Sequence, residues 1–317
     1  MTWSDIEVGV LARAAANAPS VHNSKPWAVE IHPDGAEVYE RFEARLPRHD
    51  PSGRDRMISC GAVLTNVELA VRALGRRAEV TLFPDGARPD LIARVAARGR
   101  EPATEDEVNR YSAIYRRRSY RAPFALQRLA RHEVAALVAA AGVAGTQIRP
   151  VHADRESPAL AELLGYAGRV LRADRAYQRE LSAWSDQFRD PLPPEPTLPW
   201  SGLVRADSHL PDTITLAERL AREQLLLVLT PDDARRDHVL AGRALQQVWL
   251  TAVANGLVGS VLTQPLQLHE VRAGLIARLG LAGHPQAFLR LGYPVNGVLT
   301  AQRAAAGSGT GLGPRRR

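Results

Sequence analysis

The sequence predicts an α+β fold made of two unequal halves, and two kinds of pattern support this prediction. Alternating apolar residues with turn signals indicate an antiparallel hairpin, whereas longer apolar and amphipathic stretches indicate helices. A fifteen-residue pattern also occurs twice, once in each half of the chain. We therefore expect residues 1–100 to form the first half, residues 101–303 the second, and residues 304–317 a disordered tail.

A helix and a hairpin are predicted at the start of the chain. Ser4 with Glu7 three residues later is a capping box, so a helix should begin here and end near Asn17. Apolar residues then alternate with polar ones over 27–31, and the turn Pro-Asp-Gly follows at 33–35. This order is typical of two antiparallel strands joined by a tight turn.

The rest of the first half contains a long apolar helix. Residues 58–74 are apolar or small on nearly every face, so this helix should be buried, and a short strand is expected at 80–83. The glycines and prolines of 84–104 favour a connection rather than core. Thr104 and Glu107 form a second capping box, which predicts a helix running toward residue 116.

The second half is predicted to alternate helices with buried strands. A proline-rich segment, residues 184–214, interrupts it with five prolines between 190 and 199, and regular structure is not expected over 190–211. We interpret this segment as a loop that could cover a site, with Trp200 and Leu203 facing inward, the alternative being an exposed flexible loop. The remaining elements are helices near 127–141, 157–184, 235–255 and 268–279, and strands at 225–230 and 287–291.

The internal repeat relates two of these helices. Its first copy recurs with identical spacing and no gap in the second: Gly61, Leu64, Val67, Leu69 and Gly75 match Gly242, Leu245, Val248, Leu250 and Gly256. Chance is the alternative in a chain rich in alanine and leucine. We favour a duplicated half-module whose two central helices pack together as two subunits of a dimer would.

Composition limits the classes of function. A single cysteine, Cys60, permits no intramolecular disulfide and is expected in the core, and the nine histidines show no zinc spacing, so we expect no metal. No membrane span or leader segment is recognised, which indicates a cytoplasmic protein. The net charge of +7 leaves a basic nucleic-acid-binding protein as one alternative, but removing Arg315, Arg316 and Arg317 lowers it to +4.

Three segments carry groups suited to binding. The turn 19–27 offers the Ser20 hydroxyl and the Asn23 carboxamide to a heterocycle, although on composition alone a plain polar turn is the better explanation. His22 could be an acid or base there, but we favour a structural role. Adjacent arginines in 116–121, next to a serine, suit an anion such as phosphate, the alternative being a solvated charge run. Glycines in 256–265 permit close backbone approach to a ligand.

Together these segments resemble the nitroreductase family, flavoproteins in which P-S-x-x-N-x-x-P-W and R-R-S-x-R meet FMN. The repeat and the ending F-L-R-L-G-Y-P at 288–294 extend the resemblance to the double-length Acg group, in which one chain carries both halves of the usual homodimer. It covers residues 18–303 and implies a nitroreductase-like fold with FMN at the junction of the halves.

The resemblance also implies roles for individual residues. The phosphate, the ribityl chain and the polar edge of the ring would be held by Arg117, Arg118, Ser119, Arg121 and Arg303. Residues that approach the flavin from the other half would be Pro19, Ser20 and Asn23. Backbone atoms of Thr263 and Gln264 would face N5 and O4 of the ring.

The activity implied is that of an NAD(P)H-dependent oxidoreductase. NADPH or NADH would reduce the flavin, and a small-molecule acceptor, a nitroaromatic or a quinone, would take the electrons. The first half has no R-R-S motif, so we expect one flavin per chain, in a monomer or a homodimer. The alternative is a flavin-sequestering protein in which the proline-rich segment blocks the second substrate and turnover is small.

Overall fold

The computed structural model describes residues 2–185 and 204–295. These residues form an α+β fold, as the sequence predicts. The helices are α1 (Asp5–Ala16), α2 (Arg54–Ala73), α3 (Glu105–Arg116), α4 (Arg131–Ala139), α5 (Ala153–Ala173), α6 (Arg175–Ser185), α7 (Thr213–Leu220), α8 (Arg235–Ala254) and α9 (His269–Leu279). The strands are β1 (Trp27–His32), β2 (Gly35–Glu40), β3 (Arg76–Leu82), β4 (Leu91–Arg100), β5 (Gln147–Pro150), β6 (Gln224–Thr230), β7 (Val258–Leu262) and β8 (His284–Gly292).

The strands form two antiparallel sheets with the same topology. The first has the order β1-β2-β4-β3 and the second the order β5-β6-β8-β7. In the first sheet α2 connects the second strand to the third, and α8 does the same in the second sheet. The predicted duplication is therefore confirmed, and the halves are unequal because α3, α5, α6, α7 and α9 have no counterpart in the described part of the first half.

The two repeat helices pack directly against each other. Both have 20 residues, and α8 begins 181 positions after α2. A Cβ atom built on Gly61 would lie 2.9 Å from the Cα of Gly242, so the paired glycines mark the helix crossing. Without side chains there, the backbones can approach closely.

Two hydrophobic cores share the strands of the second sheet. Leu226 and Val228 of β6 belong to the core that also contains α2 and α8. Leu225 and Leu227 face the other way, into a core formed with α5 and α9. The continuous apolar run in β6 is thus covered on both faces, as predicted.

Local sequence signals are confirmed at several element boundaries. Ser4 with Glu7 and Thr104 with Glu107 form the two predicted capping boxes, each with reciprocal backbone and side-chain hydrogen bonds. The hairpin of β1 and β2 pairs Trp27 with Glu40. The long buried helix begins at residue 54 rather than 58, because the left-handed Gly53 at its N-cap allows the turn (φ 75°).

Some predictions were wrong. The interval 84–104 contains β4, an inner strand with Leu91, Ile92 and Val95 fully buried, because its glycines and prolines lie beside or at the end of the strand. The single helix expected over 157–184 is two helices, since Asp174 is extended (ψ 100°) and its carboxylate caps α6. The short strand β5 and the helix α7 were not predicted.

Several expectations lie outside the described residues. These concern 186–203 of the proline-rich segment, including Trp200 and Leu203, together with Arg303 and the tail 304–317. Within the described ranges, no helix combines the length and the apolar character that crossing a membrane requires.

Candidate functional site

The three segments singled out in the sequence meet at the junction of the two halves. The Arg117 guanidinium donates to the backbone oxygen of Asn17, 3.2 Å away, directly before the turn 19–27. Ser119 forms a parallel bridge with Gly259, and the Tyr120 amide donates to the Gly259 oxygen at 2.8 Å. Residues that are far apart in sequence therefore line one region.

The turn 19–27 has an unusual backbone. His22, Asn23 and Lys25 all have positive φ values, of 48°, 54° and 46°. Left-handed conformations of non-glycine residues cost on the order of 1–3 kcal/mol each, and they occur mainly where the surroundings hold a functional geometry. Here the Ser20 hydroxyl accepts the Lys25 amide at 3.0 Å, and the Asn23 residue is exposed.

A second contact fixes this turn to the repeat helix. The amide of Val21 donates to the Ser59 hydroxyl at 3.2 Å, and that hydroxyl donates to the backbone oxygen of Asp55 at 2.7 Å. The strained backbone is therefore fastened to α2 in the same half. Pro19, the first residue of the segment, is half-buried.

Arg117 is a partly buried cation at the end of α3. Its guanidinium carbon lies 4.6 Å from the centroid of the Trp249 ring, in a cation–π contact. Its Nε atom is buried with no hydrogen-bond partner, and no carboxylate pairs with it among the residues that the structure describes. Burial and the neighbouring Arg118 lower its pKa to about 10. Such a desolvated cation gains from an anionic ligand.

The neighbouring motif residues differ in their surroundings. Arg118 is exposed and folds back, donating to the backbone oxygens of Tyr115 (3.1 Å) and Arg117 (2.7 Å). Ser119 and Arg121 are half-buried, and the charge of Arg121 reaches His22 in the turn. The arginine motif and the turn therefore lie close to each other.

The loop after β7 is held by the start of α2. Arg54 donates to the backbone oxygens of Thr263 (3.1 Å) and Leu266 (2.7 Å), and the Thr263 hydroxyl donates to Asp55 at 2.5 Å. Among the described residues we find no acceptor for the amide N–H of Thr263 or Gln264. These two amides remain available to a ligand.

A buried polar network surrounds this loop. His49 Nδ1 lies 3.0 Å from His22 Nε2 and 3.3 Å from the Tyr177 hydroxyl, while His49 Nε2 lies 3.4 Å from Asp55 Oδ2. The Gln264 side chain donates to the Tyr177 hydroxyl. The turn, the loop, α2 and α6 therefore share one network.

Burial and neighbouring charges set the protonation states of Asp55, His22 and Tyr177 in this network. Burial opposes ionisation of Asp55, but Arg54, His49 and Thr263 together hold its pKa below the usual range. Burial, followed by the nearby His49, lowers the pKa of His22 to about 3, so its ring is neutral. Burial raises the pKa of Tyr177, which therefore stays protonated.

Four residues that build this network were not predicted from the sequence: His49, Arg54, Asp55 and Tyr177. A signal existed for three of them, since R-H-D-P-S-G-R-D-R at 48–56 concentrates ionisable residues before a buried helix. Tyr177 gave none, because a single tyrosine in an amphipathic helix is common.

Helix α6 attaches the second half to the first. Its Glu180 carboxylate accepts the amides of Arg48 (3.1 Å) and His49 (2.7 Å). The amide of Val204 donates to the Gln264 side chain at 3.2 Å, and Val204 is fully buried. The described residues on either side of the segment 186–203, α6 and Val204, therefore contact the network.

Other polar groups are less suited to a ligand. Among the described residues, Glu30, His32 and Glu37 alone bring potential metal ligands together, within 4.8 Å. Glu37, however, already pairs with Arg94 at 2.6 Å and accepts from the Tyr39 hydroxyl at 2.5 Å. Cys60 is buried and its pKa is raised by burial, which fits the core position that the sequence predicted.

The chain is similar to mycobacterial proteins over most of its length. It is 31% identical over 296 residues, 89% of this chain and 84% of the relative, to Rv3131 of Mycobacterium tuberculosis H37Rv, whose name proposes an NAD(P)H nitroreductase. It is 29% identical over 295 residues to the protein named acg from the same organism, covering 88% of this chain and 86% of the relative. No family model matches the chain.

Solved structures give a further comparison. The nitroreductase NfnB of Mycobacterium smegmatis, described as FMN-dependent and in complex with NADPH, has a TM-score of 0.41 and 16% identity, covering 62% of this chain and 91% of that one. A nitroreductase of Bacteroides fragilis with bound FMN has a TM-score of 0.40 and 15% identity, covering 60% and 90%. On the similarity to Rv3131 across most of both sequences, the chain belongs to the NAD(P)H nitroreductase family.

Proposed function

We propose that the protein is an FMN-binding oxidoreductase that uses NADPH or NADH and has one flavin site at the junction of its halves. The observation that carries this proposal is Arg117, a partly buried cation whose Nε atom has no partner. Because an unpaired desolvated charge is unfavourable, a phosphate at this position would stabilise it. The family membership supports the same ligand.

The donor set fits a phosphorylated flavin. Arg117, Arg121 and the Ser119 hydroxyl offer charged and neutral donors to a phosphate and a ribityl chain, with Arg118 and Arg303 as further candidates. The amides of Thr263 and Gln264 offer donors to a polar ring edge. Pro19, Ser20 and Asn23 would approach the ligand from the turn.

The residues of the chain would orient the reaction and exclude water. FMN, when bound, supplies the hydride chemistry between NAD(P)H and an acceptor, which we propose to be a nitroaromatic or a quinone. Arg54 and Asp55 hold the loop 263–266 in place, so its amides are oriented before a ligand arrives. Preorganised donors of this kind need no rearrangement during the reaction.

The visible spectrum of the purified protein tests this function. We expect flavin absorption bands after purification or after addition of FMN, and bleaching of those bands when NADPH is added without oxygen. A nitroaromatic or quinone should then restore them. Absence of any flavin binding would contradict the proposal.

A second candidate function is flavin sequestration with little turnover. It is favoured by the contacts of α6 and Val204, which fasten the chain on both sides of 186–203 to the network around Gln264. In that case NADPH would bleach the bound flavin only slowly. Replacing residues 190–203 by a short glycine and serine linker should raise turnover while FMN stays bound.

The proposal extends to the organisation of the chain. We propose that residues 1–100 and 101–303 are the two halves that correspond to two subunits of a dimer, and that the protein acts in the cytoplasm. Its partners would be small molecules, and the chain would be a monomer or a homodimer.

A further inference from the structure

The strongest group outside the arginine motif is a line of three side chains from separate elements. Asp55 lies on α2, His49 precedes that helix, and His22 lies in the strained turn. Their contacts run from Asp55 Oδ2 to His49 Nε2 at 3.4 Å and from His49 Nδ1 to His22 Nε2 at 3.0 Å. The 3.4 Å contact is electrostatic rather than a hydrogen bond, since among the described residues His49 Nε2 has no hydrogen-bond partner.

The surroundings decide which nitrogen of His49 carries the proton. Asp55 is ionised, so it favours a proton on the Nε2 atom that faces it. The 3.4 Å between Asp55 Oδ2 and His49 Nε2 is longer than a charge-assisted hydrogen bond, which is typically about 2.7–2.9 Å. The negative charge of the carboxylate nevertheless favours the tautomer of His49 that has its proton on Nε2. His49 Nδ1 is therefore an acceptor with a single lone pair. His22 Nε2, at 3.0 Å, lies closer to it than the Tyr177 hydroxyl, at 3.3 Å.

This arrangement determines the state of His22 in turn. Its Nε2 atom faces the acceptor Nδ1 of His49 and must donate to it, so the remaining nitrogen of a neutral ring has a lone pair. His22 takes no positive charge, because it is desolvated and faces His49 and Arg121, and Asp55 compensates only in part. It can thus accept one further hydrogen bond at Nδ1.

We propose that His22 is a neutral hydrogen-bond acceptor for the bound flavin, and that His49 and Asp55 are positioning residues that fix its tautomer. The inference rests on the proposed function, since the donor is an N–H or O–H group of the flavin. Two kinds of donor are available, the ring N3–H and the ribityl hydroxyls. The role is one of orientation, and His22 supplies no proton at Nδ1.

The tautomer is measured directly by nitrogen-15 NMR of the imidazole rings in the full-length protein. Before flavin is added, His22 should be neutral with its proton on Nε2 from pH 5 to 8. Addition of FMN should shift the Nδ1 signal and leave the Nε2 proton in place. A ring that titrates in this range, or one with its proton on Nδ1, would overturn the inference.

Substitutions of His22 and His49 distinguish a role in flavin binding from a purely structural role. His22→Leu should weaken FMN and riboflavin binding alike, about two- to tenfold, and His22→Asn, which retains an acceptor, should recover part of this loss. His132→Leu, at an exposed histidine of α4, is the control and should change neither. His49→Leu should leave FMN bound but allow both tautomers of His22.

A modified ligand identifies the donor. FMN methylated at N3 should bind to the native protein as weakly as FMN binds to His22→Leu if the ring N3–H is the partner, and normally if a ribityl hydroxyl is. Normal FMN binding with unmoved His22 signals would overturn this inference alone. Loss of all flavin binding would overturn the proposed function, whereas the tautomer of the free protein is measured independently.

Discussion

Gly61 and Gly242 face each other where the two repeat helices cross. A Cβ atom on Gly61 would lie 2.1 Å from the Val239 oxygen, and one on Gly242 would lie 2.0 Å from the Ile58 oxygen. Both clashes are with backbone, which cannot move aside as a side chain can. The two positions are also equivalent in the repeat, so one close contact joins the duplicated halves.

Alanine at either glycine should therefore destabilise the protein. Gly61→Ala and Gly242→Ala must push α2 and α8 apart, and overpacking of this kind costs about 1–3 kcal/mol or more. Gly9→Ala, on α1, is the matched control, since its Cβ would meet only an arginine side chain at 3.6 Å. Urea unfolding measures the free energies, and equal stability of all three variants would contradict the close helix contact.

Arg117→Ala should weaken FMN binding far more than riboflavin binding. A charge-assisted hydrogen bond to phosphate is worth roughly 1.5–3 kcal/mol, which corresponds to about ten- to a hundredfold in affinity. Arg116→Ala, at the exposed preceding residue, serves as the control. Equal losses for the two flavins, measured by fluorescence titration, would assign Arg117 to structure.

Equivalent arginines at the starts of the two repeat helices should behave differently. Arg54 is buried, pairs with Asp55 and holds the loop after β7, whereas Arg235 is half-exposed and lies over the Phe83 ring at 5.6 Å. Arg54→Ala leaves a buried carboxylate unpaired, which costs on the order of 3–5 kcal/mol, and should also weaken flavin binding. Arg235→Ala should cost less than about 1 kcal/mol and leave affinity unchanged.

Unfolding at several urea concentrations and a flavin titration compare these two variants. The reason for the difference is that Glu40, the partner of Arg235, keeps its second partner Arg56. If Arg235→Ala weakened the flavin as strongly as Arg54→Ala, the two halves would both contribute a loop to ligand binding.

The stability of the protein should fall in mild acid because of His22. An unfolded chain protonates this ring below about pH 6.5, whereas the folded one does so only near pH 3, so the unfolded state binds more protons in between. The free energy of unfolding should thus decrease by up to about 1.4 kcal/mol per pH unit in this window. His22→Gln should flatten the slope accordingly.

Denaturant unfolding at pH 7, 6 and 5 measures that slope. His132→Gln, which changes an exposed histidine, should leave it as in the native protein. The charged or titratable groups that face His22 are His49, Asp55 and Arg121. An identical slope in native protein and His22→Gln would contradict the neutral ring of the folded state.

The sequence predicts local features better than the connections between them. Capping boxes such as Ser4 with Glu7 act over three residues, so they can be read directly and are confirmed. The strand β4 was not predicted because the glycines and prolines near its ends indicate a loop. It is an inner strand only because it pairs with β2 and β3 in the folded sheet. The split between α5 and α6 depends on one capping aspartate, Asp174, which resembles any polar helix residue.

The same limit applies to the candidate site. Arg117 stands out because adjacent arginines suit an anion, whereas the role of Gln264 was implied by the resemblance to the nitroreductase family. The structure joins their two segments through the contacts of Ser119 and Tyr120 with Gly259. His49 and Tyr177 act through other side chains. They contact each other in the structure although they are 128 residues apart in the sequence. No local pattern encodes such a contact, which exists only after the halves have packed.

The number of flavins bound per chain tests the central claim most directly. We propose one site at the junction, because the arginine motif occurs only once, in the second half, while the turn 19–27 belongs to the first. Titration of the flavin-free, full-length protein with FMN, followed by flavin fluorescence, should reach saturation at one FMN per chain. Saturation at two per chain, or no binding at all, would contradict it.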